Sequence, residues 1–226
     1  MPPIVVQEGA SRIGAYVAAG VVGGVEVRED WPGLTELIAS VERDLRARVS
    51  LDSLRDDPVV RAFRDFFWRI GIDPTKTRPS AEALARRVLA GRGIPRINNV
   101  VDAGNGASLE LLVPIGLYDL DRVEPPIHLR LAEAGEEFTP IGGSARTLSG
   151  GEPVLADSLG ILHLFPHRDC RRTMIRPDTR RVFVVACGVP GVEPDRVLAA
   201  ARRAAALLSE YAGGRIVEEA RLFGAR

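Results

Sequence analysis

Apolar positions divide the chain into helical and extended stretches. Leu34, Leu37, Ile38, Val41 and Leu45 recur at helical spacing, with Glu36, Glu42, Arg43, Asp44 and Arg46 on the other side, so an amphipathic helix is expected there, with Pro32 in its first turn. Val59, Phe63, Phe66, Phe67 and Ile70 form a second stripe that stops at Gly71, the residue type favoured just past a helix C-terminus. By the same periodicity this aromatic stripe reads as core rather than as a platform for stacking bases. Residues 73–80 read as a loop, because Arg78 precedes a proline and is biased away from helix. Pro79 then opens a third helix striped by Ala81, Leu84, Ala85, Val88 and Leu89, with Glu82 and Arg86 paired at i,i+4 and Gly91 at its end. A fourth helix is expected from about Asn98 to Leu112. There Asn98, Asp102 and Asn105 share a narrow arc, opposite Val100, Ala103, Ala107 and Leu111. Three short polar groups on one face are unusual for a solvated helix. The last helix, Pro194 to Tyr211, is striped by Val197, Ala201, Ala204 and Leu208 and stopped by Gly213-Gly214.

The extended stretches lie at the two ends of the pattern. Ile4 to Val6 and Ile13 to Val27 read as strand, turn, strand, interrupted at Gly20 and at Gly23-Gly24. After Pro114, strands are expected at Ile127–Leu131, Glu152–Asp157, Ile161–Phe165, Arg181–Cys187 and Arg215–Ala220. Helices in the first half and strands in the second argue for an α+β fold rather than regular βαβ alternation. Residues 1–72 are expected to pack as N-terminal strands and helices on a core of residues 73–226, the whole forming one unit.

Composition changes this picture little. The 226 residues, 46% hydrophobic and 27% charged, suit an ordinary folded protein. Thirty basic and thirty acidic side chains cancel, so no global field holds nucleic acid and an RNA partner needs a local basic patch. Lys76 is the only lysine, which reflects composition bias more than function. Two cysteines, Cys170 and Cys187, are too few for a disulfide framework and point to a reduced, cytoplasmic setting. The apolar stretch Ile13 to Val25 is a poor secretion signal, with four glycines and no leucine, and no run reaches the roughly 18 apolar residues of a membrane span.

Several motifs imitate chemistry. Leu148 to Glu152 (Leu-Ser-Gly-Gly-Glu) resembles an ATP-binding-cassette signature, but no glycine loop accompanies it to cradle phosphates, so it reads as a turn before a strand. His167-Arg168-Asp169 imitates a kinase catalytic loop without the glycine-rich loop or Asp-Phe-Gly that a kinase needs. His163, His167 and Cys170 have ligand-like spacing, yet Pro166 interrupts the path between the histidines, and no metal or other cofactor is expected.

Four stretches taken in order carry a resemblance: Arg78-Pro-Ser-Ala-Glu-Ala-Leu84, Pro95-Arg-Ile-Asn-Asn-Val-Val-Asp-Ala-Gly-Asn105, Pro114-Ile-Gly-Leu-Tyr-Asp-Leu-Asp121 and Leu129-Arg-Leu-Ala-Glu-Ala-Gly-Glu136. Glu152 to Asp157 and Asp178 to Phe183 continue it. From about Asp73 to Cys187 the chain resembles the B3/B4 domain of the bacterial phenylalanyl-tRNA synthetase β subunit, in free-standing form. The resemblance implies a three-layer β/β/α fold and an editing pocket that hydrolyses tRNA mischarged with tyrosine, using a water held near the aminoacyl ester. The pocket asparagine of that family matches Asn105, and its neighbouring threonine becomes Gly104. The pocket histidine matches Gly116, and the glutamate that recognises the tyrosine hydroxyl falls at Val185, so two of the family's polar groups are missing.

The residues themselves suggest a concave site walled by Asn98, Asp102 and Asn105, with Tyr118, Asp119 and Asp121 following a Pro-Ile-Gly turn. Asn105 and Asp102 are the candidate catalytic groups, since a buried amide must find partners and a substrate supplies them. Arg130, Arg168 and Asp169 join as substrate-binding candidates because the free-standing form resembles this chain there too. Asp119 and Asp121 have a blander reading as turn caps, and Arg168 and Asp169 as a surface pair. Arg78, Arg86, Arg87, Arg92 and Arg96 cluster around the third helix as a candidate phosphate-binding patch for tRNA or aminoacyl-tRNA. Three readings stay open: an editing-like aminoacyl-tRNA ester hydrolase, a non-catalytic RNA- or protein-binding module, and a binder or hydrolase of a small amino-acid derivative.

Overall fold

The computed structural model describes residues 1–225. In chain order its elements are β1 (Ile4–Val6), α1 (Glu8–Arg12), β2 (Tyr16–Gly23), α2 (Leu34–Arg48), α3 (Pro58–Arg69), α4 (Ser80–Leu89), α5 (Asn99–Leu111), β3 (Ile115–Asp119), β4 (Ile127–Leu131), β5 (Glu137–Phe138), β6 (Arg146–Thr147), β7 (Pro153–Asp157), β8 (Gly160–Leu164), β9 (Arg168–Asp169), β10 (Arg181–Gly188), α6 (Pro194–Ala212) and β11 (Arg215–Phe223). Strands β11-β2-β10-β3 form an antiparallel sheet, β1-β4-β7-β8-β9 form a second, and β5-β6 make a short ribbon. The fold is α+β.

The four-stranded sheet is the middle of three layers. Helices α5 and α6 cover one face, with α6 packed on β2 and β10 and α5 on β3. The other face meets the five-stranded sheet, where the Tyr118 side chain of β3 reaches His163 of β8. Such a middle sheet is buried on both sides, which is why β2 and β10 read as continuous apolar runs rather than alternating ones. All eight residues of β2 are buried. That explains a correction: Gly20 does not interrupt β2. A Cβ at Gly20 would lie 3.1 Å from the backbone of Ala220 and Glu218 in β11, so the glycine permits close approach of a bulged neighbour.

Two further expectations are corrected. The expected Pro114-Ile115-Gly116 turn is absent: Ile115 and Gly116 already belong to strand β3, which runs to Asp119 paired along β10. Helix α2 begins at Leu34 after Gly33, whose φ of 77° is left-handed, so Pro32 precedes the helix instead of opening it. The N-terminal stretch enters both sheets, β1 pairing in parallel with β4 and β2 lying between β10 and β11. The aromatic stripe of α3 is core: Phe63, Phe66 and Phe67 are buried, each contributing about 1.5–3 kcal/mol relative to exposure. Asp57 caps α3 by accepting from the backbone N–H groups of Val59 and Val60. Among the described residues no helix is long and apolar enough to cross a membrane.

Candidate functional site

Two cavities open beside α5. The larger, a cleft of about 520 Å³, runs from Lys76, Thr77 and Arg78 past Arg87 of α4 to Asn105, His163 and Asp169. The smaller, about 170 Å³, is walled by Ile97, Val101, Ile115, Leu117, Met174 and Ile175, with Gly104 on the α5 side. Asn105, Ile115 and Asp169 line both. A third hollow of about 350 Å³ continues the cleft outward, lined by Arg78, Arg86, Arg87 and Arg92.

Local structure decides which polar groups of α5 reach these spaces. Asn98 is the helix N-cap, its side-chain oxygen accepting from Val101 N–H at 2.9 Å. Asp102 is fully buried and accepts from Ile97 N–H at 2.9 Å and from Arg96 Nε at 2.7 Å. Asn99, absent from the sequence-based set, is also fully buried; it accepts from Arg28 N–H and donates to the carbonyls of Glu26 and Tyr211, tying α5 to its surroundings. Asn98 and Asp102 therefore do not wall the site with Asn105, because their side chains are spent on the start of α5 and the segment before it. Asn105 is half-buried and lines both cavities, and its side-chain amide makes no hydrogen bond among the described residues. Gly104 has a reason beside it, since a Cβ there would come 2.5 Å from Leu117 Cδ1.

Beneath the cleft lies a hydrogen-bonded chain from three strands. The fully buried Tyr118 hydroxyl is 2.8 Å from His163 Nδ1 and 3.0 Å from Asp169 Oδ1. Burial lowers the His163 pKa to about 3 and pushes the Tyr118 hydroxyl well above its ordinary value, so both stay neutral. Burial raises Asp169 to about 7, with the Tyr118 hydrogen bond and the charge of Arg168 pulling it partly back. A phenol with one proton that donates to Asp169 leaves its oxygen to accept from His163 Nδ1–H. His163 thus belongs to the site. Its inward position in an alternating strand was the available signal, but the partner across the sheets was not visible locally.

The remaining expected site residues separate. The Tyr118 hydroxyl occupies the space over Gly116: a Cβ there would lie 2.1 Å from it. Val185, opposite Gly116 in the register, is fully buried and lines neither cavity. Buried Asp119 accepts from Asp121 N–H, Thr179 Oγ1 and Arg122 Nε, while Asp121 pairs with Arg181, so both hold local structure. Arg130 is paired with Glu136 at 2.8 Å, away from the cleft. Arg168 lines the cleft, as does Asp169. Of the arginines, Arg96 is committed to Asp102 and Arg86 to Glu82, whereas Arg78 and Arg92 are exposed and their guanidinium groups make no hydrogen bond among the described residues. Arg87 uses Nε on the Gly93 carbonyl and keeps its outer nitrogens available.

His163, His167 and Cys170 take separate partners: His167 meets the Phe67 ring edge-on at 5.6 Å, and Cys170 Sγ lies 3.1 Å from Thr173 Oγ1. Among the described residues no three His, Cys, Asp or Glu side chains are grouped to hold a metal ion.

Comparison with known proteins places this geometry. Residues 62–213 match the model of the B3/4 domain. The chain is 33% identical over 207 residues to the phenylalanine–tRNA ligase β subunit of Shouchella clausii, covering 79% of this chain and 24% of that protein. It is 31% identical over 231 residues to the same subunit of Geobacillus kaustophilus, covering 92% of this chain and 28% of that protein. The chain thus spans about a quarter of the length of these relatives. An N-terminal fragment of the phenylalanyl-tRNA synthetase β subunit from Pyrococcus horikoshii shares the fold, with a TM-score of 0.53 and 20% identity over 95% of this chain and 50% of the fragment. With the family model matching well over half of its length, the chain belongs to the B3/4 domain family.

Proposed function

We propose that the protein binds the 3′ end of an aminoacyl-tRNA and hydrolyses its ester. The observation that carries this reading is the meeting of an apolar chamber and a cation-lined cleft at Asn105. The chamber suits the aminoacyl side chain and the cleft suits the terminal ribose and phosphates, which leaves the scissile carbonyl beside the Asn105 amide. An amide N–H there stabilises negative charge developing on the carbonyl oxygen, and its carbonyl orients a water. The β subunits of phenylalanine–tRNA ligase that resemble this chain support a tRNA partner, and Arg78, Arg87 and Arg92 supply phosphate contacts leading into the cleft.

Substrate preference follows from the walls. Apart from Asn105 and Asp169 where the chamber meets the cleft, its walls of Ile97, Val101, Ile115, Leu117, Met174 and Ile175 offer a phenolic hydroxyl no side-chain acceptor, and burying one unpaired costs about 1–3 kcal/mol. Matched tyrosyl-, phenylalanyl-, leucyl- and alanyl-tRNAs are the substrates to compare by acid-precipitable label. Hydrolysis is expected with no preference for tyrosyl ester, and Asn105→Ala is expected to slow it about 10²-fold. A clear tyrosine preference would require another acceptor, and activity indifferent to Asn105 would move the site. Absence of hydrolysis with all four, alongside tRNA binding, would favour the non-catalytic binding module.

A further inference from the structure

Of the three side chains shared by the two cavities, Asp169 is the ionisable one. An ester with its acyl side chain in the chamber and its ribose in the cleft has its carbonyl carbon at that junction. Asp169 Oδ1 is held by the Tyr118 hydroxyl, while Oδ2 makes no hydrogen bond among the described residues, and the side chain keeps 32% exposure. We propose that Asp169 is the catalytic base of this site, its carboxylate positioned by Tyr118 and His163. The inference rests on the ester-hydrolysis reading above.

The step balances without any further reactant. Water oxygen bonds to the carbonyl carbon while one water proton passes to Asp169 Oδ2 and the carbonyl π pair moves onto oxygen beside Asn105. When that pair returns, the bond to the ribose oxygen breaks, and the leaving oxygen takes the proton from Asp169. Free amino acid and tRNA result, with the carboxylate restored.

Charges around Asp169 are compatible with this role. Tyr118 from β3 and His163 from β8 face it as neutral groups, and burial pushes the Cys187 thiol of β10 up so that it also stays neutral. Cys170 follows Asp169 in the chain, within reach of Tyr118. His167, lining the same cleft, is lowered to about 3. Arg168 is the adjacent cation, and Lys76, Arg78 and Arg87 face in from the loop before α4 and from α4. A base that titrates near neutrality combines a populated carboxylate with useful proton affinity.

The sign of the pH effect follows directly. Asp169 accepts a proton only when ionised, so hydrolysis rises as pH passes through about 7 and levels above it. Because its folded pKa is raised, the carboxylate form costs stability: stability is greatest below the ordinary carboxylate range, falls as pH rises toward about 7, and is flat beyond. Asp169→Asn is therefore expected to melt no lower than wild type at pH 8, which separates lost activity from lost fold.

The experiment follows the fastest of the four aminoacyl-tRNAs from about pH 5.5 to 8.5, with spontaneous hydrolysis subtracted. Asp169→Asn is expected to lose about 10²-fold or more at the alkaline plateau and to lose the rise. Tyr118→Phe is expected to move the midpoint upward, since the Tyr118 hydrogen bond holds the Asp169 pKa down. Wild-type rate and profile in Asp169→Asn would overturn the base assignment, and an unmoved midpoint in Tyr118→Phe would overturn the positioning. Activity lost in Asn105→Ala yet kept in Asp169→Asn would overturn this inference alone. No hydrolysis by wild type would overturn it together with the reading it rests on.

Discussion

Gly116 is glycine because its neighbour two residues on has claimed its side-chain space. The Tyr118 ring is fully buried and its hydroxyl is held by His163 and Asp169, so it cannot swing aside as the end of a flexible chain could. Gly116→Ala is expected to cost about 1–3 kcal/mol through this overlap, read as a lower urea midpoint with an unchanged slope. A histidine at this position, as in the synthetase pocket that the chain resembles, has no room while Tyr118 stays in place. In sequence, glycine at position 116 reads as the loss of a polar group. In three dimensions the phenol of Tyr118 and the imidazole of His163 bring polar chemistry into the same region from other strands.

At the scale of elements, the expected pairing of Glu82 with Arg86 holds, but its setting differs from a solvated helix face. Glu82 is 1% exposed, and its Oε1 accepts from Arg86 Nε and from Arg64 Nη1 of α3, both at 2.8 Å. This carboxylate pins α4, the helix that carries Arg87 along the cleft, onto α3. Removing it strands two guanidinium groups, whereas removing Arg86 leaves Arg64 in place. Glu82→Ala is therefore expected to destabilise by about 3 kcal/mol and Arg86→Ala by about 1 kcal/mol, compared by urea unfolding, since breaking a buried pair at its shared anion costs most. Helical periodicity located α4 within a residue of its ends, but period alone does not distinguish an exposed ion pair from a buried one. That depends on α3, which lies eighteen positions away at Arg64.

For the whole molecule, zero net charge places any grip on tRNA in the local strip of Arg78, Arg87 and Arg92, because Arg86 and Arg96 are spent on buried carboxylates. About three phosphate contacts at roughly 0.7 to 0.9 each give a logarithmic salt slope of about 2 to 3, against about 4 for all five arginines. Filter binding across a salt series is expected to show weak, salt-sensitive binding that the double variant Arg87→Glu, Arg92→Glu abolishes. Binding unaffected by salt or by that variant would remove the strip as the RNA surface. Along the chain, the periodicity of residues 34–112 and 194–211 determined the long helices, and Asn105 stood out as a polar residue on a helix face. These features are legible because helical period and caps are local, and because an amide on such a face needs a partner. The role of Gly20, the strand at Ile115–Asp119, the anchoring of α5 through Asn99, and the Tyr118–His163–Asp169 chain were decided by tertiary structure. Each depends on which strand or loop lies opposite, and packing brings together residues that no local pattern relates, fifty-one positions apart for Tyr118 and Asp169 and 200 for Gly20 and Ala220.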